Sequence, residues 1–211
     1  YRPEYNDMIR RIGKLTFDKV PLSSLLSFSY ERVNPENFPD KMFKYIETGS
    51  VDLEEGKIIE VLEFLGKDAP SRARQIGSVG DFLIPTAKES IVGVAILPEE
   101  LDGIVVSTRF MVAKPKVDPQ FLYYLMRTKE VLSLLRREST GEIVPGICER
   151  SLDNVMVPLP PQEIIEITAS FVKRQMCRLE ELKNEITELK KSMATLEGVK
   201  GAMNKHASVK K

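Results

Sequence analysis

Several places in this 211-residue sequence set side chains at spacings that could do chemistry. Pro39-Asp40 followed by Glu55-Gly56-Lys57 has the form of the Pro-Asp and Glu-x-Lys pattern, in which two carboxylates hold a metal ion and a lysine stands beside the attacking water. In such nucleases the Glu and Lys ride on a strand, whereas Glu54-Glu55-Gly56 reads as a hairpin turn whose glycine takes an unusual backbone angle. A metal-dependent nuclease therefore stays only as a minor alternative. Ile12-Gly13-Lys14-Leu15-Thr16 lacks the earlier glycine that a phosphate loop needs to wrap its ligand. Asn34-Pro35-Glu36 has glutamate where the base-holding Asn-Pro-Pro-aromatic motif of amino-methyltransferases has its second proline, and no glycine-rich cofactor loop precedes it. Cys148 and Cys177 lie in segments of different character, with no His or Cys at metal-ligand spacing. The single His206 sits in a polar tail. These residues predict a chain with no catalytic centre, no metal and no cofactor of its own, with reduced thiols as in the cytoplasm.

Lys plus Arg equals Asp plus Glu, 31 against 31, so no global field draws the chain to phosphates or to an anionic membrane. Any nucleic-acid binding must come from a local patch. Hydrophobic residues at 42% and charged residues at 29% are those of an ordinary globular protein. No apolar run is long enough to span a membrane, and Tyr1-Arg2-Pro3-Glu4-Tyr5 is polar rather than a secretory signal. With no initiator Met, the sequence reads as a trimmed one.

The elements that must position any site follow from periodicity. Met8, Ile9, Ile12 and Leu15 predict a short helix within Tyr5 to Leu15, closed by Pro21. From Phe43 the texture becomes short β-rich runs: Tyr45 to Thr48, Lys57 to Val61, Phe82 to Ile84, Ile91 to Ile96, and Gly103 to Val112. Gly56, Gly80 and Gly103 mark turns between them, which predicts a curled, mostly antiparallel sheet. Helical spacing returns between Pro119 and Arg137, for one or two helices packed on that sheet, and the fold class is α+β. A loop with Thr140, Gly141, Pro145 and Gly146 leads to a stiff exit, Val157-Pro158-Leu159-Pro160-Pro161. Beyond it Val172, Gln175, Leu179, Leu182, Ile186, Leu189, Met193 and Leu196 alternate at spacings of three and four, a heptad seam for pairing with another helix. The expected organisation is a globular domain over 1–161, a long coiled-coil helix over 162–197 ended by Gly198 and Gly201, and a flexible tail over 198–211.

This order of features resembles one half of a type I restriction-modification specificity subunit, or the equivalent C-terminal recognition region of a fused type IIG enzyme. The resemblance rests on Tyr45-Ile46-Glu47 with Gly49, Ala69 to Arg74, Val79-Gly80-Asp81-Phe82-Leu83, Ser107-Thr108-Arg109-Phe110, Phe121 to Leu125, Thr140-Gly141, and the Val157 to Pro161 exit into the long helix. Each is weak alone, and the order across Tyr45 to Leu196 is specific. One departure is Gln162-Glu163, where the family often has Glu-Gln. The resemblance implies a target recognition domain reading one half of a split DNA site, and a helix that pairs antiparallel with that of a second repeat. It implies as partners double-stranded DNA, a DNA methyltransferase subunit, a restriction or translocase subunit, and a second copy or second half-subunit, with no membrane. No internal duplication supplies the second repeat.

Within that resemblance, Arg72 and Arg74, beside Ser71 in a loop after Pro70, offer fork-shaped donors to phosphates or guanine edges. A solvated or ion-paired loop is the other reading. Lys88 with Ser90, and Ser107 with Thr108, offer phosphate contacts or merely finish a sheet edge. Thr140 and Gly141 form a close-approach loop or a simple turn. The helix-pairing residues are Val172, Leu179, Leu182, Ile186, Leu189, Met193 and Leu196. The alternative function is a coiled-coil protein–protein adaptor without DNA binding.

Overall fold

The computed structural model describes residues 17–139 and 146–208, with side chains through residue 194. The helix expected within Tyr5 to Leu15, the loop residues Thr140 and Gly141, and the side chain of Leu196 lie outside them. The strands are β1 (Lys19–Pro21), β2 (Leu26–Phe28), β3 (Met42–Ile46), β4 (Leu62–Leu65), β5 (Ala73–Gly77), β6 (Phe82–Pro85), β7 (Ala95–Ile96), β8 (Ile104–Ser107), β9 (Phe110–Pro115) and β10 (Met156–Pro158). The helices are α1 (Pro119–Met126), α2 (Lys129–Arg137), α3 (Glu149–Asp153) and α4 (Gln162–Ser208).

A strand that is apolar on both faces must be covered on both faces, and this decides the layering. In β6, Phe82 and Ile84 join one core while Leu83 joins another; in β9, Met111 and Ala113 face the first and Phe110 and Val112 the second. These strands lie at the centre of a four-stranded sheet of order β2-β9-β6-β7. Its first face is covered by α1, α2, α3 and the start of α4, through Leu122, Met126, Leu135, Leu152 and Ile165. Its second face packs on another four-stranded sheet, β4-β3-β8-β5, through Ile46, Leu83, Leu97 and Val106. The far side of that second sheet carries Phe43, Tyr45 and Phe64, with Phe43 and Phe64 stacked at 5.7 Å. The pairing is antiparallel except between β3 and β8. The α+β class with mainly antiparallel strands is as expected, built as two packed four-stranded sheets with β1 and β10 as a separate antiparallel pair, rather than one sheet.

Local differences have local causes. Lys57 to Val61 is no strand; only Ile58 bridges, to Val51, and the strand is the next segment, β4, which pairs with β3. Residues 88–92 form a turn and 93–94 are irregular, so only Ala95–Ile96 pair in β7. Gly103 to Val112 splits into β8 and β9, because Thr108 and Arg109 form a tight turn between them. Pro119 to Arg137 likewise splits into two helices. Asp118 caps α1 by accepting from the amides of Gln120 and Phe121, and Thr128 caps α2 through the amide of Val131.

The helix α4 passes both Gly198 and Gly201 and runs to Ser208, beyond the expected end at Glu197. An interior glycine costs only about 1 kcal/mol against alanine, and Lys200, Ala202, Met203 and Lys205 around them are helix formers. The residues assigned to a flexible tail from 198 to 208 are therefore helical.

Candidate nucleic-acid interface

Three backbone connections build one end of the sheets. Ala73 of β5 pairs with Ser107 of β8, and the amide of Thr108 donates to the carbonyl of Arg72 at 2.9 Å. The amide of Thr86, just after β6, donates to the carbonyl of Arg109 at 2.9 Å, and the amide of Ile147 donates to the carbonyl of Thr86 at 2.8 Å. Segment 31–33 runs beside β5, with Arg32 opposite Gln75. Four loops far apart in sequence thus converge on a groove of about 510 Å³ lined by Tyr30, Arg32, Gln75, Thr86, Thr108, Cys148, Glu149 and Arg150, among others.

The floor is pinned by Gln75, which is buried and donates from Nε2 to the carbonyls of Ser107 and Phe110 at 2.8 and 2.9 Å. Those two bonds fix the β8–β9 turn that presents Thr108. The rim is cationic. Arg32 and Arg150 line the groove, both exposed, while exposed Arg72 and half-buried Arg109 adjoin Thr108 along the backbone. None of the four forms an ion pair with a described carboxylate. Among the described residues, Arg32 and Arg150 thus present guanidinium donors to this concave surface.

The residues anticipated for DNA separate into groups. Ser71, Arg72 and Thr108 are exposed and brought together here. Ser107 is buried, and its Oγ accepts from the amide of Arg109 at 3.2 Å, so it shapes the turn rather than reaching outward. Lys88 is exposed two residues beyond Thr86, while Ser90 Oγ donates to the carbonyl of Ala87 and closes that turn. Arg74 lies in β5 rather than in the loop, at a register shift between Ala73 and Gln75. An extra residue in a strand is re-aimed out of the ladder, and Arg74 Nη2 meets Glu36 at 2.6 Å while Nη1 donates to the carbonyls of Pro70 and Ala73. It ties down the loop that carries Arg72. Arg32, Gln75, Arg109 and Arg150 were not anticipated. Arg109 alone carried a signal, since it follows Ser107-Thr108 at a turn; the others enter only through tertiary folding.

Next to the rim, Cys148 caps α3 and its thiol is drawn below the ordinary range by hydrogen bonding with Ser151. Tyr30 donates its hydroxyl to Glu149 Oε2 at 2.5 Å, and that bond to a carboxylate raises the phenol above its ordinary range.

The long helix forms the other exposed feature. Ile165 and Ala169 belong to the main core and Val172 is 7% exposed, so Val172 covers its own body instead of joining a partner. A residue within the first turns of a helix leaving a body still lies over that body. Met176 and Leu179 border a second groove with Tyr123, Tyr124 and Arg127. Lys57 Nζ meets Glu180 at 2.7 Å and Lys183 pairs with Glu55, which fastens the 52–57 turn to the helix. Arg127 donates to the carbonyls of Leu53, Glu54 and Val92, and Tyr123 to that of Glu55, so the turn is held on two sides. Glu55 and Lys57 are thereby engaged with the helix. Among the described residues no three His, Cys, Asp or Glu side chains gather to hold a metal. Beyond that latch, Ile186, Leu189 and Met193 are 51%, 64% and 61% exposed. No helix of the described residues is long and apolar enough to cross a membrane.

No family model matches the sequence. Over 102 residues the chain is 28% identical to the type I restriction enzyme HindI specificity subunit of Haemophilus influenzae, an alignment covering 46% of this chain and 22% of that protein. Among solved structures it superposes on a chain of a type I R-M system with a TM-score of 0.68 at 30% identity, covering 83% of this chain and 46% of that one. It superposes equally, at 0.68 and 29% identity, on the HsdS subunit of Thermoanaerobacter tengcongensis, covering 85% of this chain and 47% of that one. The chain therefore spans about half the length of these solved relatives or less. In sequence and in fold it is similar to one half of a type I restriction-modification specificity subunit, comprising one globular unit and the long helix that follows it.

Proposed function

We propose that this chain is a DNA sequence-recognition module of a restriction-modification system, reading one half of a split site through the groove lined by Arg32 and Arg150, with Arg72 and Arg109 on the adjoining turns. The observation that carries the reading is that Arg32 and Arg150 line one groove without a described carboxylate partner, with Arg72 and Arg109 joined by backbone hydrogen bonds to the same edge, in a chain whose total charge is zero. A local cationic edge on a chain of zero net charge favours a polyanion there. The similarity to specificity subunits supports the same assignment.

Catalysis would then belong to a methyltransferase subunit, with a restriction subunit joining it. The exposed stripe from Leu179 to Met193 would pair with the helix of a second copy or a second half-subunit. Fluorescence anisotropy on duplex DNA at several salt concentrations tests the reading. Salt-dependent binding is expected, modest for the chain alone because few phosphates are neutralised, and tighter with the methyltransferase. Affinity that is absent at low salt would instead favour the adaptor reading.

A further inference from the structure

Glu149 is out of place on a surface built to meet phosphates. It is half-buried in the groove wall, with Arg150 beside it in sequence and Arg32 lining the same groove, yet it pairs with neither. Its described side-chain partner is the hydroxyl of Tyr30, which engages Oε2 and leaves Oε1 with open acceptor positions. Tyr30 is 66% exposed at the mouth and anchors the carboxylate from the solvent side.

A carboxylate held in this way repels the phosphate backbone by Coulomb interaction, so it weakens sequence-independent binding. Duplex DNA nevertheless offers partners that only an acceptor can satisfy, the exocyclic amino groups of cytosine and adenine at the base edges in the major groove. An anchored acceptor among donors also rejects the acceptor-bearing edges of guanine and thymine, which the neighbouring arginines would otherwise welcome. Resting on the DNA-recognition reading above, we infer that Glu149, positioned by Tyr30, is a base-reading residue that accepts a hydrogen bond from an exocyclic amino group of cytosine or adenine.

The test uses the full chain and a pool of duplexes with a randomised segment, with bound molecules sequenced after selection. The unmodified protein should enrich one particular base pair, in one orientation, at a fixed position. Glu149→Met, of similar length but with no oxygen acceptor, should lower that enrichment roughly tenfold at that position alone. Tyr30→Phe should weaken discrimination at the same position while leaving the salt dependence unchanged. If Glu149→Met leaves every enrichment as it was, binds all sequences more tightly and steepens the salt slope by about one charge, the carboxylate only repels phosphate and the inference falls. It falls equally if the unmodified chain binds DNA in a salt-dependent way but enriches no base pair at any position. Absence of any salt-dependent binding by the unmodified chain would instead remove the DNA-recognition reading itself.

Discussion

The carbonyl of Arg72 accepts the amide of Thr108 at 2.9 Å, which joins the loop before β5 to the β8–β9 turn and sets both residues on one rim. Arg72→Ala should therefore weaken binding to duplex DNA. If Arg72 forks onto guanine, the loss should be about 1–3 kcal/mol on the cognate duplex with relaxed preference there; if it meets phosphate, all duplexes should weaken alike and the salt slope fall by about one. Arg74→Ala should behave differently, because that side chain is committed to Glu36 at 2.6 Å. It should lower thermal stability, by about 1 kcal/mol or less for a partly exposed pair, with a smaller effect on affinity. Anisotropy titrations beside thermal melts of the two variants check the contrast.

The exposed stripe predicts self-association of the isolated chain. Leu182, Ile186, Leu189 and Met193 leave apolar surface in water, disfavoured by roughly 25 cal/mol per Å². Light scattering at micromolar concentration should give a dimer, and Leu182→Glu with Ile186→Glu should give a monomer. A monomeric unmodified protein refutes the pairing.

The latch between the 52–57 turn and α4 should depend on pH at both extremes. Lys57 holds Glu180 below its ordinary 4.5 by hydrogen bond and charge, and Glu180 raises Lys57 above 10.5 in the same way. The lowered carboxylate stabilises above about pH 4.5 and loses its contribution as pH falls through the folded value; the raised lysine stabilises below about 10.5 and loses its contribution as pH rises through its folded value. Amide protection of residues 52–57 should be greatest between those limits and should drop in Glu180→Gln. Both groups are exposed, so high salt should weaken the latch as well.

Gly56→Ala should destabilise the same region. Gly56 has a φ of 64°, and a Cβ there would run into the carbonyl of Val94 and the hydroxyl of Tyr123. A strained backbone angle costs on the order of 1–3 kcal/mol, and displacement of Tyr123 adds to it. Thermal unfolding should show a loss of about that size or more.

With no glycine-rich nucleotide loop in the sequence, S-adenosylmethionine should not bind the isolated chain, and methyl transfer should require an added catalytic subunit. Calorimetry with the cofactor checks this. Measurable affinity in the pure protein would argue for an enzyme.

Periodicity in the sequence already determined the α+β class, the turns at Gly56, Gly80 and Gly103, all three with positive φ, and the long helix after Pro161. Each is a local property: a glycine adopts a left-handed angle, and apolar residues three and four apart form a helical stripe. Val172 shows the limit, since the same spacing places it on the stripe whether its neighbour is a partner or its own body. Only tertiary packing assigned it to the body, by seating Ile165 and Ala169 on the main core. The groove was hidden for a stronger reason. Arg32, Thr108 and Arg150 are distant in sequence, and the strand register that carries Ala73 to Ser107 and Arg32 to Gln75 brings them to one end of the fold. Arg72 and Arg74 look alike in sequence, and only the shift in register between Ala73 and Gln75 gives Arg74 to Glu36 while Arg72 stays at the rim.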